Sequence, residues 1–424
     1  VATNILSRGP AIIDTAFIGH TGASELAAVG LAQLFIFGLQ SFTHALGVAG
    51  TVMVAYRTGQ KNPALRREEA DTDFSIALFI GIALSIIAFN ASDSVGRIMG
   101  VKGAVHGFLL DYTDIFFYFF TLKLLNFFLA SIFQGSGDSR TPLYVIGTLN
   151  AMNVILDYTL IFGKFGMPEM GVKGAALATG IAESSGAVTL YLIAVRRGLL
   201  SPGIKLPRLE PSKKLAGLGL PILGERLVGI GMQFLFARMV ISISVLAYGA
   251  HQMGVNIEMV SLLSGFAFMQ AATALVGQNL GADDPQRAKL MAKKASYISL
   301  SIMTVFAITL ITFPGFWVRL FTVDPQVIGY GKKFLIYGCL CQPLMGFGLV
   351  YAGALRGAGQ TRYVMYVAII GSWVARIPLA YLLGLEWNLG LDGLWICMPI
   401  DWLIRGIFYY AKFKSGNLKE HYRT

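Results

Sequence analysis

The chain has 424 residues, 55% of them hydrophobic and 13% charged, with a formal net charge of +11. A soluble globular domain carries about 25% charged residues, so this composition excludes an ordinary soluble enzyme. The surplus bases lie in short segments between apolar runs, which is the orientation pattern of a membrane protein rather than a nucleic-acid surface.

Twelve apolar runs follow one another, at 1–19, 26–56, 72–91, 109–134, 141–163, 171–196, 213–241, 247–279, 291–313, 332–356, 362–385 and 390–411. Runs of about 20 residues cross a bilayer as helices, so the expected fold is an all-α polytopic membrane protein with twelve transmembrane helices. Pro202, Pro207 and Pro211, set among charges, mark residues 197–212 as a linker between an N-terminal bundle, 1–196, and a C-terminal bundle, 213–424. The loops on one side carry 21 Lys and Arg and those on the other 7. The positive-inside rule makes the first side cytoplasmic, with both ends of the chain there.

The turn at 133–142, FQGSGDSRTP, returns at 355–362 as LRGAGQTR. Gly135, Gly137 and Arg140 match Gly357, Gly359 and Arg362 at an offset of 222 residues. The same offset pairs Gly59 with Gly281, Pro63 with Pro285, and Ala49, Thr51 and Val54 with Ala271, Thr273 and Val276. An offset that holds over distant landmarks indicates a duplicated unit. An even number of spans per unit makes the two six-helix bundles parallel, related by a pseudo-two-fold axis along the membrane normal. By the same offset the first helix is expected to begin about ten residues before Val1, so its start is expected to be missing.

Polar groups inside apolar spans are functional candidates, because a charge at mid-bilayer costs at least about 2.5 kcal/mol. Asp14, Asp157 and Thr179 fall at similar depth, and Asn153 and Asp157, four residues apart, share a helix face. Two carboxylates, an amide and a hydroxyl suit Na⁺, a hard cation, and equally a proton shared between acids. Lys123 could instead hold the acids in a fixed ion pair. Pro10 frees a backbone carbonyl one turn before Asp14 and is a candidate hinge. In the second half Glu225, Arg226, Glu258, Arg376, Asp401 and Arg405 fall inside spans, with Asp401 and Arg405 spaced as an i,i+4 pair. They read as a structural salt-bridge network more than as a substrate or relay site. Glu183 stands as a lone acid, His251 as a helix histidine, and Cys339, Cys341 and Cys397 as packing residues rather than a metal site or a disulfide. The aromatic run 115–120 reads as packing before cavity lining. No catalytic cluster, P-loop or other metal motif stands out, so the chain is expected to be no enzyme and to need no cofactor beyond a coupling ion.

The twin Gly-x-Gly-x-x-Arg turns, the two six-span halves and residues 14–19, DTAFIG, together resemble the multidrug and toxic compound extrusion (MATE) transporters, the DinF-like branch most closely. The resemblance implies a V-shaped pair of bundles that works as a monomer in the plasma membrane. It implies export of amphipathic, often cationic, compounds against inward Na⁺ or H⁺. It also implies a cation site at Asp14, Asn153, Asp157 and Thr179. Acids that other branches carry in the C-terminal half correspond here to Gly229 and Met345, so that site is not carried over. A lipid-linked precursor flippase of the same superfold is the alternative. It would want a cationic cavity, for which Arg226, Arg238 and Arg376 are the candidates.

Overall fold

The computed structural model describes residues 17–19, 21–416 and 418. Among them are eleven long helices. The first five are α1 (Ala23–Gly59), α2 (Pro63–Ile98), α3 (Ala104–Gly135), α4 (Arg140–Ile161) and α5 (Val172–Arg196). The others are α6 (Leu209–Ile243), α7 (Val245–Gly281), α8 (Pro285–Thr312), α10 (Pro325–Gly357), α11 (Thr361–Glu386) and α12 (Gly390–Ser415), with the short α9 (Pro314–Arg319) after α8. Ten of them are long and apolar enough to cross a bilayer. The expected first span, with Pro10 and Asp14, lies outside the described residues apart from a helical stub at 17–19.

The helices outrun the apolar runs where polar residues cap them. Asn62 accepts from the Leu65 amide ahead of Pro63, and Asp284 accepts from the Arg287 amide ahead of Pro285. A side-chain oxygen at the N-cap satisfies one of the helix's free amides, and proline at the first position loses no hydrogen bond. The residues just before these caps, Lys61 and Asp283, both have positive φ, at 54° and 65°. Cap, proline and φ thus repeat at the 222-residue offset, and α7 begins and ends one offset from α1. The counterpart of α2 departs from this pattern, because Pro314 divides it into α8 and α9.

The chain divides into two compact units at Gly219/Leu220, inside α6 rather than in the linker. The reason lies in packing: Leu215 is buried in the core of the N-terminal unit. The linker is also tied to that unit along one face of α2. Arg67 Nε donates to the Gly198 carbonyl, Asp71 Oδ1 accepts from the Ser201 amide at 2.7 Å, Ser75 Oγ donates to the Lys205 carbonyl at 2.6 Å, and Arg208 pairs with Glu68.

Within each unit the two helices with the largest mutual contact meet through the same lock. In the N-terminal unit α1 packs on α3, and Thr51 Oγ1 donates to the carbonyls of Gly47 (3.0 Å) and Ser131 (3.1 Å). In the C-terminal unit α7 packs on α10, and Thr273 Oγ1 does the same to Met269 (3.0 Å) and Gly353 (2.9 Å). A Cβ on Gly135 would stand 2.8 Å from the Thr51 carbonyl oxygen, and one on Gly357 would overlap that of Thr273. The second glycine of each turn closes the helix at positive φ, 91° at Gly137 and 77° at Gly359. The motif therefore needs its first glycine for close approach and its second for a left-handed cap.

Candidate functional site

In the N-terminal unit the first site builds on α4 and α5. Asn153 and Asp157 are 1% and 0% exposed, one turn apart on α4. Across from them Thr179 of α5 accepts a 3.4 Å hydrogen bond from Asn153 Nδ2. Asn153 Oδ1 has no hydrogen-bond partner among the described residues. Three of the four expected ligands are thus buried, and two of them are in contact across the helix pair. Asp14 is outside the described residues.

Lys123 does not remain available to these acids as a base. Its ammonium lies 3.0 Å from Glu183, and Asn126 Nδ2 donates to the other Glu183 oxygen at 2.6 Å. The acid read as lone therefore closes a triad between α3 and α5. A small pocket beside it is lined by Phe116, Phe119, Lys123, Thr179, Gly180 and Glu183. In the aromatic run Phe116, Phe117 and Phe120 are buried, while Tyr118 is 79% exposed.

In the C-terminal unit the expected charges pair partly outside their own group. Glu225 receives both its short bonds, 2.8 and 2.7 Å, from Nη2 of Arg356, an arginine of the second turn motif that sequence reasoning left out of the group. Arg356 also reaches Met269 Sδ at 3.0 Å. Asp401 and Arg405 pair as expected, at 2.5 and 2.7 Å, and a Cβ on Gly371 would overlap Asp401 Oδ1. Arg376 lies over the Phe236 ring at 4.2 Å, within electrostatic reach of Asp401, Arg405 and Glu258. Its helix, α11, is widened into π-turns at Ile370–Arg376 and Tyr381–Glu386, on either side of Pro378. A proline cannot donate to the carbonyl four residues before it, and insertion of a wider turn is a common response.

Three buried polar residues escaped the sequence reading. Gln342 sits beside Glu258 and is 0% exposed. Asn126 completes the Lys123 triad. Asp73 on α2 is 0% exposed, and neither carboxylate oxygen has a hydrogen-bond partner among the described residues. Gln342 carried one signal, its place directly before Pro343 in an apolar run. The three cysteines are buried free thiols, as packing residues should be.

The family model described as MatE matches residues 1–159 and 221–382. The chain belongs to the MatE family. A probable multidrug resistance protein NorM of Thermotoga maritima is 30% identical over 97% of this chain and 89% of its own length. The multidrug resistance protein MdtK of Yersinia pseudotuberculosis is 26% identical over 91% and 86%. Among solved structures, an outward-facing multidrug resistance MATE family transporter of the MOP superfamily superposes with a TM-score of 0.90 at 20% identity, covering 100% of this chain and 94% of that one. This MATE chain is accordingly a multi-pass membrane transporter, not an enzyme.

Proposed function

We propose that this MATE protein is a secondary antiporter that exports amphipathic, cationic organic compounds in exchange for H⁺ or Na⁺. The coupling ion binds at Asp14, Asn153, Asp157 and Thr179. The observation that carries the reading is the fully buried Asp157 beside the Asn153–Thr179 contact, with Lys123 already committed to Glu183. An acid, an amide oxygen and a hydroxyl gathered inside an apolar bundle offer oxygen ligands to a small cation, or a carboxyl to a proton. The multidrug names of the relatives favour export over the flippase alternative. The duplicated landmarks support twelve spans in two parallel six-helix bundles, and the basic loops support cytoplasmic ends in a plasma membrane. Pro10 supplies the hinge that lets the first helix bend when its acid is neutralised, and the transporter works as a monomer.

The test is efflux of a cationic dye from proteoliposomes holding the purified protein, with a Na⁺ gradient and a pH gradient imposed separately. Uphill efflux under one gradient is expected. Failure of both to move any cationic dye would overturn the reading.

A further inference from the structure

The strongest concentration of unpaired buried polar atoms lies in the C-terminal unit, between the middles of α7 and α10. Glu258 is 7% exposed, and its Oε1 meets no hydrogen-bond donor among the described residues. Beside it Gln342 is completely buried, its side-chain amide acting on Glu258 without a short hydrogen bond from either amide atom among the described residues, and Ser261, one turn along α7, has no hydroxyl partner among them. An unpaired buried polar group costs about 1–3 kcal/mol, and a proton on Glu258 would supply a donor to this cluster. A Cβ on Gly338 would overlap Glu258 Oε1, so the glycine leaves room for the carboxyl against α10. Pro343 follows Gln342 and removes the amide that would have bonded to the Cys339 carbonyl.

We infer that Glu258 is a proton-binding site of the C-terminal unit, with Gln342 as the group that accommodates both of its protonation states. A side-chain amide can turn N–H towards a carboxylate or C=O towards a carboxylic acid. A partner fixed as donor or as acceptor satisfies only one state. The charge balance agrees. Glu258 is within electrostatic reach of Arg376 of α11 and of the thiols Cys339 and Cys341 of α10, Arg376 in turn reaches Asp401 and Arg405 of α12, and His251 lies two turns away on the same helix as Glu258. With Glu258 ionised, two acids balance two guanidinium groups. Taking up a proton forms one O–H bond, breaks no bond in the protein, and leaves the group at +1. Arg376, uncancelled in that state, then repels any further cation. The site shares no residue with Asp14, Asn153, Asp157 and Thr179. It rests on the antiport reading only for what the bound proton drives.

The experiment is infrared difference spectroscopy of the purified full chain in lipid, titrated from acid to alkaline pH, which needs no transported substrate. Wild type should show the carbonyl stretch of a protonated carboxylic acid that disappears as pH rises. Glu258→Gln should lose that band, and Gln342→Leu should shift it, because the hydrogen bond to the acid changes. If Glu258→Gln does not fold, Glu258→Asp together with Gln342→Leu answers the same question, since either must move the band. A band set untouched by these substitutions overturns the inference. So does a wild-type band abolished by Na⁺ at constant pH, which would make the site one for a metal cation. Dye efflux that fails while the band behaves as expected would count against the antiport reading alone.

Discussion

At the scale of single residues, the buried acids divide by what holds them. Asp401 is fully buried and held by Arg405 through two short bonds, the arrangement expected of a structural charge. Removing one partner of a buried pair strands the other, at a cost of about 3–5 kcal/mol. Asp401→Asn should lower the melting temperature in detergent and reduce the yield of folded protein; an unchanged melting temperature with lost efflux would instead put Asp401 in the mechanism. Asp157 is fully buried one turn along α4 from Asn153, whose amide meets the Thr179 hydroxyl. Asp157→Asn keeps its shape and removes its charge, so uphill dye efflux should vanish while melting temperature and detergent elution profile stay near wild type. Accumulation at the wild-type level would sink the N-terminal coupling site. Much of this was legible in the sequence, since an acid or amide in an apolar run announces itself. Partner identity was not. Glu183 and Lys123 were each visible, yet only the rotation of α3 against α5 joins them, and Arg356 looked like a loop base until α10 was seen to carry it to its last turn.

At the scale of helices and turns, the threonine locks and their glycines explain why the turn motif recurs. Thr51→Val and Thr273→Val each remove a hydroxyl bonded to two carbonyls, one of them on the facing helix. Each should cost about 1 kcal/mol, and the double variant should show the sum, because the two share no partner. Thermal unfolding in detergent measures all three; a double variant no worse than either single one would deny their independence. The first turn has a further dependence on pH. Asp138 accepts from the amides of Arg140 and Thr141 and from the Thr141 hydroxyl, and it pairs with Arg197. Partial burial pushes its carboxyl up, but these donors outweigh that and hold it below the usual value of 3.8. A carboxyl depressed in the folded state adds stability that is full above its unfolded pKa and is lost as pH falls through the folded one. Wild type should therefore melt higher than Asp138→Asn at neutral pH, and the gap should close below about pH 4. A gap that stays constant would mean that Asp138 acts through shape alone. The repeat was legible because duplication copies turn chemistry along with apolar pattern. The π-turns of α11 were not, because hydropathy cannot distinguish a widened turn from a regular one.

At the scale of the whole molecule, the sequence placed the joint between halves at its prolines and charges, whereas the structure places it ten residues into α6. Composition marks where a chain is polar; the division depends on which core a buried leucine joins, here Leu215. The linker is consequently more protected than its composition suggests. Trypsin should cut slowly at Arg197, Lys205 and Arg208 in native protein, because two of these side chains are paired and the backbone around them is bonded to α2. Asp71→Ala combined with Ser75→Ala removes two of those bonds, at about 1 kcal/mol each, and should speed cleavage roughly tenfold or more. Unaltered digestion would show that the bonds contribute nothing to holding the segment.

The buried Leu215 and the bonded linker also bear on how the protein is made. A nascent chain emerges in order, and its domains generally fold as units from the N-terminal end. Release of α5 at Arg196 does not complete the first unit. The face of α2 that bears Arg67, Asp71 and Ser75 still lacks its linker partners, and the core still lacks Leu215. The linker partners arrive before α6 begins at Leu209, and Leu215 only with its opening turns. The ribosome therefore finishes the first half by beginning the second, and translation must run past the apparent boundary before the first half can close.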